Sequence, residues 1–452
     1  MTFPKDFLWG GAVTAHQSEG AYNAGGKSPA VCDLFPKPKH SDFKDGIDSY
    51  HRYDDDFSLF EEMGFTSYRF SIDWSRVCPD GINFSEESMQ FYDDFIDSMI
   101  RHGMEPMCSL YHFEMPQLLM NKYNGFYSRE VVDMFVTYAN KMIDRYGDRV
   151  KKWISFNEQN AIALPGSSKV AYGAVCPKDI DEQTFINQLV HNTFVAHAKV
   201  VEKVHTIADA KVLGMVIYIP AYAATCNPLD ELESRNQMAL TDMYFDMFTY
   251  GEYSSYMMAK MKNENNLPKM LDGDLELLKK NKVDWLSLSY YFSTVASHGK
   301  LSIEMNGNAK AATNPYLKAS EWGWQIDPLG LRIGLRDIYA KYRLPIMVVE
   351  NGFGMRDILE NETVIDDTRI DYMKDHLEQI ALAINEGVDC RGYLMWGPID
   401  ILSSQGEMSK RYGTIYVNRD DKDLKDMKRY KKKSFYWYKK VISTNGDDIK
   451  ND

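Results

Sequence analysis

A chain of 452 residues with 44% apolar composition can bury a substantial core, and this length suits either two or three average domains or one α/β barrel with long loops. Its net charge of −13 argues against nucleic acid or an anionic membrane as the main partner, and any anionic ligand would need a local cationic site. There is no apolar run near the roughly 18 residues of a membrane span, no signal-peptide pattern and no CxxC or zinc spacing among the six cysteines, so a cytoplasmic protein with free thiols and no bound metal is expected.

Along the chain one cadence repeats: amphipathic helix, glycine, short apolar strand. Residues 8–12 read as a first strand. Tyr53, Phe57, Phe60 and Met63 keep helical spacing, Gly64 stops them, and 68–72 is a strand. Phe91, Phe95, Ile96, Met99 and Ile100 lead through Gly103 to 107–110. Val132, Phe135, Val136, Ala139, Met142, Ile143 and Tyr146 lead through Gly147 to a strand read from Trp153 to Glu158. Further apolar strands fall at 212–217, 285–288, 346–349 and, after Gly387, 392–396. Runs too apolar to alternate belong in a parallel sheet buried on both faces. Eight of them, with no phosphate-binding glycine fingerprint, favour a closed (β/α)8 TIM barrel over an open sheet. Regions 29–46, 165–185, 225–275 and 300–325 are expected to be long loops or insertions. No linker, charge block or low-complexity segment divides 1–452, so one domain is expected, with a disordered tail over the last few residues.

Barrel chemistry sits at the C-terminal strand ends. There the sequence places Gln17, His112, Asn157, Glu158, Tyr290, Tyr291, Glu350 and Trp396. Amides, imidazole, phenols and an indole suit a sugar, whose hydroxyls need polar partners and whose C–H faces stack on rings. Two glutamates on one rim suggest glycoside hydrolysis by the retaining route, which needs carboxyl groups roughly 5–5.5 Å apart, against roughly 6.5–9.5 Å for inversion. Arg69, a guanidinium inside an apolar strand, requires a carboxylate partner. Glu350 is the expected one, held ionised as nucleophile by that pairing; a structural pair with another acid is the alternative. Glu158 is then the acid/base, its pKa raised by the neighbouring charge, and Asn157 binds the sugar 2-hydroxyl.

The stretches FLWGGA at 7–12, YRFSIDWSR at 68–76, FNE at 156–158 and ENG at 350–352 resemble glycoside hydrolase family 1. That resemblance implies a single (β/α)8 barrel, retention at a β-linkage and no cofactor. It also implies the same two glutamate roles, sugar contacts from Gln17, His112, Asn157 and Trp396, and contact of Tyr291 with the nucleophile. Phe113 and Ser289 stand where many members have Trp and Asn, and both resemble the 6-phospho-β-glucosidase branch.

In the loop 400–413, Ser403 and Ser404 occupy positions where the unphosphorylated branch has Glu and Trp. A carboxylate there would repel a phosphate, so its absence removes a barrier. Ser403, Lys410 and Tyr412 form a compact set of two hydroxyls and an ammonium, and they resemble the phosphate-binding pattern of 6-phospho-glycosidases. Ser404 replaces the Trp of the 6-phospho-β-galactosidase branch, which points to glucose. The basic run 428–433 reads as a solvated helix face.

The expected activity is hydrolysis of phosphorylated β-glucosides, such as 6-phosphorylated cellobiose or aryl glucosides, to glucose 6-phosphate and the aglycone. A 6-phospho-β-galactosidase or dual enzyme, an unphosphorylated β-glucosidase and a non-catalytic sugar-phosphate binder are the other readings.

Overall fold

The computed structural model describes residues 3–34, 40–164, 166–299 and 313–449; the expected tail at 450–452 and most of the loop at 300–325 lie outside them. Eight strands form the barrel: β1 (Leu8–Ala12), β2 (Ser67–Ser71), β3 (Glu105–Ser109), β4 (Lys152–Ile154), β5 (Lys211–Ile217), β6 (Trp285–Ser289), β7 (Ile346–Asn351) and β8 (Cys390–Trp396). They follow one another in chain order around a closed parallel sheet, β1 pairing with β8 to close it. Every residue of β2 and β7 is buried, which is why these strands carry no polar–apolar alternation.

Helices cross between successive strands, including Ser49–Met63, Glu86–Arg101, Arg129–Tyr146 and Asp367–Asn385. Ser85 and Ser128 cap the second and third by accepting backbone N–H groups of Ser88 and Glu130. Gly64 ends the first at φ +91°, a left-handed conformation that costs glycine little, and its N–H donates to Phe60 O at 3.0 Å. Among the described residues, no helix is long and apolar enough to cross a membrane.

Three expectations are corrected. The region 225–275 contains the helices Pro228–Tyr250 and Ser255–Asn263. Met243, Tyr244, Phe245, Met247 and Phe248 are all buried, so the first helix shows no single apolar stripe and its periodicity is weak. The fourth strand stops at Ile154, and the chain then leaves the sheet so that Glu158 adopts φ +39°. Short helical pieces, Val31–Leu34 and Ser167–Tyr172, also interrupt the regions 29–46 and 165–185.

The basic run at 428–433 is not a solvated helix face. Arg429–Lys431 is a strand paired antiparallel with Ile415–Val417. Side chains alternate across it: Arg429 and Lys431 reach Asp56 (2.8 Å) and Glu62 (2.5 Å) on the helix Ser49–Met63. Lys432 turns the other way and is fully buried, bridging Asp357 (2.5 Å) and Asp400 (2.6 Å). Arg369 joins Asp357 and Asp366, and Arg411 joins Asp400. Three cations thus balance three carboxylates beneath the loop that follows β8. Lys432→Met leaves Asp357 and Asp400 short of a cation, and a buried ion pair broken from one side costs about 3–5 kcal/mol. The expected result is a lower urea midpoint of that size with unchanged slope; a loss below about 1 kcal/mol on the same scale contradicts the assignment.

Candidate active site

Arg69, in the middle of β2 and without exposed surface, spends its guanidinium on three strands. Nη1 pairs with Glu350 Oε1 on β7 (2.5 Å), Nη2 donates to Asn157 Oδ1 after β4 (2.7 Å), and Nε donates to Ser109 Oγ on β3 (2.9 Å). Tyr291, just past β6, donates its hydroxyl to the other oxygen of Glu350 at 3.0 Å. Glu350 is nearly fully buried. Burial raises its pKa above the ordinary carboxylate value, while the Arg69 charge and the hydrogen bonds from Arg69 and Tyr291 oppose the rise. The sequence-based expectation that Arg69 alone sets this charge state omitted the larger effect, desolvation.

Glu158 is half-buried in the cavity wall and shielded from bulk water. Its pKa is pushed up to about 8, first by burial and then by the charge of Glu350, against a hydrogen bond from Ser289 and the charge of Arg69. The neighbouring charge is therefore the second cause, not the first. Both carboxylates line one cavity of about 340 Å³, together with Gln17, His112, Asn157, Tyr291, Trp396, Ser404 and Tyr412. Gln17 is fixed by donating Nε2 to Leu402 O at 2.6 Å. Burial, Arg69 and His16 hold the His112 imidazole well below its usual pKa, so it is neutral at pH 7, and its Nδ1 has no hydrogen-bond partner among the described residues. Phe113, also in the wall, stands at φ +81°, a strained conformation for an aromatic residue of the kind that clusters at functional sites.

The loop after β8 carries Ser403, Lys410 and Tyr412, of which Tyr412 lines this cavity. Ser403 is buried, and its oxygen accepts the N–H groups of Gln405 (3.3 Å) and Glu407 (3.0 Å), which leaves its proton to donate. It stands behind the wall, whereas Ser404 and Tyr412 line it. Lys410 is 7% exposed, so its ammonium is not in bulk solvent. It lies over the ring of Trp324 at 3.6 Å, with Trp322 at 5.1 Å and Tyr412 at 5.6 Å. Burial lowers its pKa to about 8, opposed by Glu407. Among the described residues it forms no ion pair. A small pocket containing Lys410 adjoins the main cavity, since Tyr291 and Trp324 line both. Gly354 is needed here for close approach: a Cβ would stand 2.7 Å from Lys410 Cε.

Sequence reasoning missed four residues around the site. Glu114 is fully buried and accepts from Thr14 (2.8 Å), Ser71 (2.7 Å) and the His112 N–H (2.8 Å), tying together the ends of β1, β2 and β3. An acid two residues past a rim histidine, in an apolar stretch, was the available signal. Trp322 and Trp324 lie in a loop without periodicity, and nothing local marked them. Ser289, named only as a departure, donates its hydroxyl to Glu158 Oε1.

The model of glycosyl hydrolase family 1 matches residues 1–447. A 6-phospho-beta-glucosidase of Clostridium longisporum is 43% identical, covering 99% of each chain. An aryl-phospho-beta-D-glucosidase of Bacillus subtilis is 41% identical, covering 99% of this chain and 98% of its own. Among solved structures, a family 1 β-glucosidase from Thermotoga maritima superposes with a TM-score of 0.86 at 28% identity, over 98% of both chains. The chain belongs to glycosyl hydrolase family 1.

Proposed function

We propose that this protein is a retaining 6-phospho-β-glucosidase, acting on phosphorylated cellobiose and aryl β-glucosides and releasing glucose 6-phosphate. Relatives named 6-phospho-beta-glucosidase and aryl-phospho-beta-D-glucosidase, matched end to end, support the substrate class. The observation that carries the phosphate is Lys410: a buried ammonium without an ion-pair partner among the described residues, beside a cavity that holds two glutamates. A buried cation without an anion is costly, and a nearly dianionic phosphate supplies one.

In the reading we favour, Glu158 enters protonated and Glu350 ionised. A carboxylate oxygen of Glu350 attacks C1 and forms a glycosyl ester. The C1–O bond breaks with its electron pair going to the leaving oxygen, which takes the proton of Glu158. Water then adds to C1 as Glu158 removes its proton, the ester bond returns its pair to Glu350, and both residues are restored. Arg69 and Tyr291 hold the nucleophile by the contacts above, and Asn157, fixed through its carbonyl to Arg69, keeps its amide N–H groups for the 2-hydroxyl. Gln17, His112 and Trp396 take the remaining sugar contacts, and Ser403 and Tyr412 complete the phosphate site around Lys410. We read the protein as a cytoplasmic, one-domain enzyme, in keeping with its free cysteines.

Ser404 is small and exposed in the cavity wall. It leaves room for an axial as well as an equatorial 4-hydroxyl, so a dual gluco/galacto enzyme is the second reading. Gluco and galacto nitrophenyl glycosides, each with and without 6-phosphate, separate these. The expected order places the phosphorylated glucoside first; equal turnover with and without phosphate overturns the assignment. Proton NMR during turnover is expected to show the β-anomer of glucose 6-phosphate before mutarotation, and the α-anomer appearing first would exclude the double displacement.

A further inference from the structure

We infer that Ser289 is a positioning residue that assigns the acid's proton to Oε2 of Glu158, the oxygen available to the leaving group. The inference rests on Glu158 being the acid/base. Ser289 ends β6, has no exposed surface and pairs with Glu350 on β7 just past a shift in register after Leu288. Its carbonyl accepts the Tyr218 N–H at 2.9 Å. The backbone that carries the hydroxyl is thus fixed from both neighbouring strands, one of which also carries the nucleophile.

The hydroxyl has a single proton and gives it to Glu158 Oε1. An oxygen that accepts this bond is the carbonyl oxygen of the protonated carboxyl, so the acid proton sits on Oε2. Oε2 makes no hydrogen bond among the described residues and keeps accessible surface in the cavity that Glu158 lines. Without the hydroxyl the two oxygens compete for the proton, and one of them points at β6, away from any substrate.

The charged and titratable groups facing Glu158 are Glu350 from β7, Arg69 from β2, Tyr291 beyond β6, and Tyr172, whose hydroxyl reaches the Glu158 carbonyl at 3.4 Å. The Ser289 bond works with Arg69 against burial and Glu350, so its loss raises the Glu158 pKa further.

The test compares kcat/KM for phenyl and 2,4-dinitrophenyl 6-phospho-β-glucosides, because only the phenoxide needs protonation as it leaves. Protonation by a placed acid is worth about 10²–10⁴-fold. Ser289→Ala should lose about 10- to 100-fold of that on the phenyl substrate and less than about 3-fold on the dinitrophenyl one, and the alkaline fall of the phenyl-to-dinitrophenyl ratio, from which Lys410 cancels, should move to higher pH. Ser289→Cys keeps the volume with a weaker donor and should move in the same direction by less. Equal losses on the two substrates, or an alkaline fall of their ratio that stays in place, overturn the inference. Glu158→Ala tells this failure from failure of the underlying reading: if its loss does not depend on the leaving group and azide does not restore turnover of the dinitrophenyl substrate, Glu158 is not the acid/base.

Discussion

Glu350→Gln should lower kcat/KM for an aryl 6-phospho-β-glucoside by about 10⁴-fold or more, the scale of losing a covalent nucleophile. Glutamine is chosen because its amide carbonyl can still accept the Arg69 N–H that now meets Glu350 Oε1. Arg69 also keeps Asn157 and Ser109, so the guanidinium is not stranded and the site keeps its shape. Binding of glucose 6-phosphate, measured by calorimetry, should therefore change by less than about tenfold, or about 1.4 kcal/mol. The two measurements together separate an enzyme from a sugar-phosphate binder built on the same barrel. A loss of turnover below about 100-fold would mean that Glu350 forms no bond to C1. Loss of binding in step with turnover would mean that it serves the ground state alone.

The features legible in the sequence were those that a single residue type states locally. Runs such as Ile346 to Val349 can only be buried strands, and a polar residue just past each falls on the rim by the geometry of the barrel. Arg69 announced a partner because a guanidinium in an apolar strand cannot stand alone, and Glu350 lies against it. Lys432 obeys the same physics but gave no such signal. It sits among four other basic positions, and only the antiparallel pairing with Ile415–Val417 decides which of them turn inward. The helix Pro228–Tyr250 was hidden by burial on more than one side. Desolvation was absent from the expected glutamate pKa shifts because charge neighbours can be inferred from motifs, whereas desolvation depends on how deeply the closed barrel seals its mouth. Trp322 and Trp324 reach Lys410 only through tertiary structure.

Those two rings make the phosphate assignment testable through pH. Trp324 faces the Lys410 ammonium where an acid would otherwise be expected, so an incoming phosphate need not displace a carboxylate. A charge-assisted bond of this kind contributes about 1.5–3 kcal/mol. Lys410→Met, which keeps an apolar stem against the indole, should therefore reduce the preference for a phosphorylated over an unphosphorylated glucoside by about 10- to 160-fold. Burial holds the lysine at a pKa of about 8, and the phosphate takes its second charge near about pH 6. In the free reactants that kcat/KM reports, the ammonium and the dianion coexist only between these values. The preference should rise as pH passes about 6 and fall as it passes about 8. Glu158 also titrates near about 8, but it serves both substrates equally and cancels from their ratio. In Lys410→Met the ratio should lose its fall above pH 8 altogether. A wild-type ratio that stays level from about pH 7 to 10 would place the phosphate away from Lys410 and remove the main support for the phosphorylated substrate.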